Sequence, residues 1–355
     1  MNGAARRANV SGLGLIGGSI GKALRARGWT VAGHDPDPTR VARARQLGAI
    51  DTAGLDEAAE ITFVAAPVLA LPDAVRHALA NTEGLVTDVG SVKASLAEAV
   101  DDARYLGGHP MAGSELEGIE GADAEMFTGA VWVLTPTART PDDTLGRVAS
   151  VVQSLGADVI ALPPDRHDAL VAVVSHVPHL TAATLMALAD SRADEHAALL
   201  RLAAGGFRDM TRIASGHPSI WPDICATNRD AIVVGLDGLI AGLSSVRDIV
   251  ARSDREALLT LLTRARSARA NLPTRGGRPA DLAEVRIPIP DRPGAAAEVF
   301  TLAAELGVNV FDFEVAHSAE GDKGVLIALI AVGDGDLFRG GLLARGFRPS
   351  VQRLE

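Results

Sequence analysis

Val10-Ser11-Gly12-Leu13-Gly14-Leu15-Ile16-Gly17-Gly18-Ser19-Ile20-Gly21 is the stretch that decides how the first third of the chain is read. Glycines at 12, 14 and 17 give the spacing G-x-G-x-x-G. In a strand-turn-helix setting the first glycine permits the tight turn, and the second lets backbone approach a pyrophosphate. The third allows close helix–strand packing. The helix expected over Leu15–Arg27 points its N-terminal amides at phosphate. Gly-rich turns also occur without nucleotides, so the flanks matter. A strand, Ala8–Ser11, precedes the turn, and a second, Thr30–His34, ends beside Asp35, 18 residues past Gly17. A carboxylate there bonds the adenine ribose hydroxyls and repels the extra phosphate of NADP. Gly12, Gly14, Leu15, Ile16, Gly17 and Asp35 are therefore read as cofactor contacts, with NAD as cofactor. Arg40 keeps residual NADP use open.

Outward from the turn, further strands are expected at Ile61–Ala66, Leu85–Asp88, Val131–Thr135 and Val159–Leu162, alternating with Ala/Leu-rich helices. This pattern predicts right-handed βαβ units, a mostly parallel sheet and a Rossmann-type α/β domain over 1–163. After Pro163-Pro164 the text turns helix-periodic, with helices expected at Asp165–Ala189, Ala193–Ala203 and Ile220–Ala251. Their apolar faces are broader than one small bundle can bury, which predicts an all-α dimerisation domain over 164–270 and a homodimer. A Gly/Pro-rich linker, 271–282, leads to a small α+β unit, 283–355, in the order βαββαβ. Its strands are expected at Glu284–Ile289, Asn309–His317, Gly324–Val332 and a closing run Arg348–Arg353.

Composition narrows the classes. A net charge of −10 and 3% aromatics argue against a nucleic-acid or anionic-lipid partner, since there is no basic, aromatic-interleaved patch. The single cysteine, Cys225, forms no intrachain disulfide, and the N-terminus lacks the apolar core of a signal peptide. A cytoplasmic protein without a membrane span is expected, on the reading that no apolar stretch of about 18 residues lacks charge.

Four segments carry candidate chemistry. Thr87-Asp88-Val89-Gly90-Ser91-Val92-Lys93 lies at a strand end, where open α/β sheets collect ligands. Ser91 is either a plain helix N-cap or a site residue. Gly107-Gly108-His109-Pro110 puts an imidazole on what reads as a shaped loop, followed by Ser114 and Glu115. Ser175-His176-Val177-Pro178-His179 places two histidines on one helical face. Either they pack at a domain junction or they serve the site. A zinc pair is not expected without His-Glu-x-x-His or nearby cysteine. Arg208 and Arg212 stand four apart in Phe207–Arg212, on one helical face. Either Asp209 neutralises them or they clamp a substrate carboxylate.

Taken in order, Gly12–Gly21, Asp88–Lys93, Gly107–Glu115, Ser175–His179 and Phe207–Arg212 resemble the prephenate/arogenate dehydrogenase family of tyrosine biosynthesis, over about residues 8 to 250. The stretch Pro288–Gly294, with the helix and Gly307-Val308-Asn309-Val310 after it, resembles an ACT domain. The resemblance implies NAD-dependent oxidative decarboxylation of prephenate to 4-hydroxyphenylpyruvate. Arogenate is the alternative substrate, and tyrosine the implied effector at the ACT-like unit. It further implies that His109 accepts the ring-hydroxyl proton and that Ser91 bonds that hydroxyl or His109 while also meeting the cofactor. Arg212 would pair with a substrate carboxylate, with Arg208, His179 and His176 nearby and Ser114 and Glu115 shaping the pocket. The rivals are a β-hydroxyacid dehydrogenase, whose catalytic lysine has no counterpart on the helix bearing His176, and a non-catalytic sensor of NAD and an amino acid.

Overall fold

The computed structural model describes residues 5–114, 116–193, 200–270, 281–290, 292–317 and 323–353. The chain packs as two units, Met1–Leu243 and Ser244–Glu355.

The first unit is built on eight strands: β1 (Arg7–Ser11), β2 (Thr30–His34), β3 (Thr52–Ala53), β4 (Ile61–Val64), β5 (Leu85–Asp88), β6 (Tyr105–Pro110), β7 (Val131–Thr135) and β8 (Asp158–Ala161). They lie in the order β3-β2-β1-β4-β5-β6-β7-β8. From β3 to β6 neighbours run parallel, β7 turns antiparallel to β6, and β8 pairs parallel with β7. Buried apolar side chains on strands and helices make one core, with Phe127, Trp132 and Phe63 at its centre. The switch of strand order falls between β1 and β4, so the turns after β1, β2, β4, β5 and β6 share one sheet edge. That is where a doubly wound sheet binds ligands.

Two strands differ from expectation. β3 is too short to leave a periodic signal. β6 corrects the reading of Gly107–Pro110 as a loop: His109 lies in a strand and faces Val133 of β7. Glycine in a strand interior marks close approach. A Cβ on Gly108 would meet the Asp88 carbonyl oxygen at 2.8 Å and Trp132 Nε1 at 2.9 Å.

The helical part differs more. The expected helix Asp165–Ala189 is α-helical over Pro164–Val171, π-helical over Ala172–His176 and α-helical again over Val177–Ala193. Of the helix expected at Ala193–Ala203, residues 194–199 lie outside the described residues, and Leu200–Leu202 is a 3-10 turn. The helix expected at Ile220–Ala251 breaks at Asn228, into Trp221–Thr227 and Arg229–Ala251. The claim that no apolar stretch of about 18 residues lacks charge is corrected as well. Positions 169–189 carry no Asp, Glu, Lys or Arg, and the run Pro164–Ser191 is long and apolar enough to cross a membrane by length and composition. It holds the buried His176 at its π-helical turn, a polar group that a membrane-facing helix would bury at high cost.

The second unit holds the helix Arg255–Ala270 and an antiparallel sheet. Its strands are β9 (Leu282–Pro290), β10 (Val310–His317), β11 (Lys323–Ala331) and β12 (Ser350–Arg353), in the order β10-β11-β9-β12. Helices Ala295–Leu306 and Gly335–Ala344 separate them in the expected βαββαβ sequence. Burial along β9 alternates: Val285, Ile287 and Ile289 enter the core with Leu326, Ile330, Val299 and Phe338, while Arg286 and Pro288 point outward. Most of the expected linker, 271–280, lies outside the described residues.

Candidate active site

The glycine turn follows β1. Gly12 has φ +96°, and a Cβ there would stand 2.2 Å from the Ala65 carbonyl oxygen, so only glycine fits. A Cβ on Gly17 would overlap the Gly12 carbonyl oxygen, which is how the helix Leu15–Ala26 comes so close to the strand. The place of a Cβ on Gly14 is empty to 4 Å, so nothing in the protein requires glycine there. That open cradle suits a pyrophosphate. Asp35, buried at 8% exposure, accepts from the backbone N–H of Leu13 and of Asp37, both at 2.9 Å. Its carboxylate thereby ties the first turn to the end of β2, with lone pairs left for ribose hydroxyls. A cleft of about 720 Å³ opens from Gly14 and Leu15, lined also by Thr39, Arg43, His179 and Trp221. These features fit a dinucleotide.

Beside the turn, at the same edge, side chains from distant segments form a buried polar chain. His109 Nδ1 lies 2.9 Å from His167 Nε2, and His167 Nδ1 lies 2.7 Å from Asp168 Oδ1. Asp168 also accepts from the backbone N–H of Lys93 and of Ala94, each at 2.8 Å. It thus caps the helix Ala94–Ala99 from outside. Sequence reasoning left open that Ser91 is that helix's N-cap. The structure corrects this: the cap residue is Lys93, and the carboxylate doing the work is Asp168. The half-buried Ser91 hydroxyl makes no hydrogen bond to His109, whose Nδ1 is engaged by His167.

Behind His109, the fully buried Lys93 ammonium is paired with Asp88 and donates to the Gly108 carbonyl at 2.9 Å. Tyr105 donates its hydroxyl to Asp88 at 2.8 Å, and the Gly90 N–H does so at 2.9 Å. Each member of the pair has at least one further hydrogen-bond partner, and removing one member of such a buried pair costs about 3–5 kcal/mol. Burial, followed by the positive charges of His167, Lys93 and His176 when protonated, pushes His109 well below the usual imidazole range. At neutral pH His109 is therefore an uncharged base.

His176 is buried at 1% exposure, and its Nδ1 lies 3.2 Å from Asn228 Nδ2, which also donates to the Asp168 carbonyl at 2.9 Å. Its ring meets Trp221 edge-on, and His179 stacks on the same indole with ring centroids 3.7 Å apart. The packing reading suits His176, whereas His179 lines the cleft. Ser114 lines it as well; Glu115 lies outside the described residues. The arginines, expected on one helical face, do not share a regular helix. The α-helix Gly205–Thr211 carries Arg208 and ends, and Arg212 opens a 3-10 turn, Arg212–Ser215, whose Ile213 and Ser215 reach the cleft wall.

His167, Asp168, Lys93, Asn228 and Trp221 were missed from sequence. The one available signal was the His167-Asp168 dipeptide just past Pro163-Pro164, where the strand-rich text becomes helical. Periodicity assigned it to a helix face and could not show what that face meets.

Two family descriptions match the chain: "Prephenate dehydrogenase, nucleotide-binding domain" over residues 20–161 and "Prephenate dehydrogenase, dimerization domain" over 163–264. A prephenate dehydrogenase of Bacillus subtilis (strain 168) is 32% identical over 335 residues, covering 89% of this chain and 90% of its own length. A cyclohexadienyl dehydrogenase of Zymomonas mobilis is 31% identical over 280 residues, 75% of this chain and 95% of its own. Among solved structures, A. aeolicus prephenate dehydrogenase in complex with hydroxyphenyl propionate and NAD+ has a TM-score of 0.71 at 28% identity. It covers 77% of this chain and 100% of its own. Synechocystis arogenate dehydrogenase has a TM-score of 0.66 at 29% identity, covering 74% of this chain and 98% of its own.

Proposed function

The chain belongs to the prephenate dehydrogenase family, and from that premise and the geometry of its site we propose how it oxidises and decarboxylates prephenate. NAD+, when bound, supplies the hydride acceptor. Gly12, Gly14 and Gly17 would hold its pyrophosphate against the helix N-terminus, with Leu15 and Ile16 along its path, Asp35 on the ribose and Ser91 near the reacting end.

One observation carries the chemistry: the unbroken line Asp168–His167–His109. A carboxylate at His167 Nδ1 fixes the proton on that nitrogen, so His167 Nε2 accepts from His109 Nδ1–H. His109 Nε2 is left with its lone pair as the base. As the carbon bearing the ring hydroxyl gives up its hydride, His109 takes the hydroxyl proton. The bond from the ring to its carboxylate then breaks and CO₂ leaves. The electron pair enters the ring, and the phenolate oxygen recovers the proton from His109. No net proton is consumed. Aromatisation drives the sequence, so the protein's share is positioning and a low-dielectric site. Arg212 is assigned to a substrate carboxylate, with Arg208, His179, Ser114 and Glu115 shaping the side-chain end. His179 and the arginine pair suit the more anionic keto acid over arogenate.

The reading extends to the rest of the chain: a Rossmann-type domain over 1–163, a helical domain over 164–270, a linker over 271–282 and an ACT-like domain over 283–355. A homodimer is supported by an apolar groove of about 1090 Å³ lined by Val173, Val177, Leu185, Met210, Val234 and Leu239. Val173, Val174 and Val234 are more than half exposed, an area that a partner helix pair would cover. The ACT-like assignment is supported by the strand order β10-β11-β9-β12 and implies an amino-acid effector, tyrosine by the family resemblance. A cytoplasmic location goes with this reading.

The test is direct. Purified protein mixed with NAD+ and prephenate should raise the near-UV absorbance of reduced cofactor, with a higher kcat/KM than arogenate gives. Turnover of arogenate alone would reverse the substrate assignment, and binding of NAD+ without turnover of either would favour the sensor reading.

A further inference from the structure

The cleft carries, beside Asp35, two arginines that an NAD site does not need. Helix Pro38–Gln46 starts three residues past Asp35 and brings Thr39, Arg40 and Arg43 to the cleft wall. Arginine at that place ordinarily serves the 2′-phosphate of NADP, through paired N–H donors that match phosphate oxygens. In this protein both guanidiniums already face carboxylates. Arg43 Nε donates to Glu120 Oε1 at 3.0 Å, and Arg40 Nε lies 3.7 Å from Asp37 Oδ2. Asp37 is itself fixed as the helix cap, accepting from the Thr39 N–H at 2.8 Å and the Thr39 hydroxyl at 2.6 Å. Glu120 differs. It comes from the 3-10 turn Ile119–Gly121, where its carboxylate meets Arg43 and its own backbone N–H and caps no helix.

We infer that Glu120 is a cofactor-selecting residue, which ties up Arg43 at the cleft and so denies a 2′-phosphate its arginine. The inference rests on the dinucleotide site proposed above and adds a second selector to it. Asp35 repels the phosphate, and Glu120 withholds the group that would attract it. Rejecting the wrong ligand by occupying its partner, as well as by repulsion, is a recurrent route to specificity. The two selectors differ in how they can be tested. Replacing Asp35 removes the acceptor that two backbone N–H groups share, so its effect on selection mixes with damage to the turn. Replacing Glu120 releases one exposed ion pair, which contributes little to the stability of the fold. Glu120 also holds its negative charge firmly: the hydrogen bond from Arg43 keeps its carboxyl below the usual glutamate range.

The experiment separates selection from turnover by using two nucleotide fragments, 5′-AMP and adenosine 2′,5′-bisphosphate, titrated calorimetrically into the full chain. Glu120→Gln should raise the affinity for the bisphosphate relative to 5′-AMP by about tenfold, and the kcat/KM ratio of NADP+ to NAD+ with it. Adding Arg43→Ala should erase the gain. A ratio within about twofold of wild type in Glu120→Gln, or a gain that survives Arg43→Ala, would overturn the assignment. Wild-type protein that bound neither 5′-AMP nor NAD+ would take down the dinucleotide site itself, a failure readily told from the first two.

Discussion

The glycine turn and the histidine line stand at the same sheet edge and are built in opposite ways. The turn works through main chain. Its active parts are N–H groups and the absence of side chains, and all of them come from one run of ten residues. The histidine line works through side chains drawn from β5, β6, the start of the helical part and the helix broken at Asn228. Binding a pyrophosphate needs many weak donors in fixed directions, which a contiguous backbone turn supplies. Moving one proton needs a single group with its tautomer, charge and orientation set, and this takes support from several directions. The two regions should therefore fail differently when broken.

The largest effect is expected at the histidine line. His109→Asn should lower kcat by about 10²–10⁴-fold while leaving the KM for NAD+ nearly unchanged, because the amide can still meet His167 but holds no base. Steady-state kinetics with saturating prephenate check this. A loss below about tenfold would mean that the proton leaves by another route. The turn should show the converse. Gly12→Ala forces an L side chain to φ +96° and into the Ala65 carbonyl. Strained backbone of this kind costs about 1–3 kcal/mol, and the contact adds to it. Urea unfolding should report the loss, and the KM for NAD+ should rise more than kcat falls. If Gly12→Ala lowered only kcat, the division between the regions would collapse.

The same contrast explains what the sequence revealed. The turn was legible because its constraint is local: glycine spacing, a strand before and a strand ending at Asp35. The strands of the sheet core were legible for the same reason, apart from β3 and β6, and so was the βαββαβ order of the second unit. β6 was not, because two glycines and a proline read as a loop when nothing shows that Asp88 and Trp132 fill the space above Gly108. His109 itself could be picked out, but His167 and Asp168 could not, since 58 residues separate the two imidazoles and helical periodicity is silent about partners. The broken helices at Ala172–His176 and Asn228 escaped for a related reason. Apolar periodicity runs on through both, although Pro178, with no N–H for the Val174 carbonyl, sits just past the π-helical turn, and the Asn228 side chain turns to bond with the Asp168 carbonyl and His176.

That bond offers the smallest and most discriminating test. Burial lowers His176 from the ordinary 6.5 to about 4, the charge on Asp168 opposing this and that on His167 adding to it. Asn228 and Trp221 supply the other faces of its pocket. The folded-state value thus lies below the unfolded one, so between about pH 6.5 and 4 the unfolded chain takes up a proton that the native chain refuses. Stability from this residue is complete above pH 6.5 and drains away as the pH falls through that window. Carboxylates titrate nearby, so wild type must be compared with His176→Gln, which keeps an acceptor for Asn228 but cannot be protonated. The variant should be less stable at pH 7, and its deficit should narrow by at most about 2 kcal/mol on going to about pH 5. A deficit that stayed the same at the two pH values would mean that His176 takes up its proton as readily in the folded protein as in the unfolded chain. It would then be open to solvent and not part of the packing beneath the cleft.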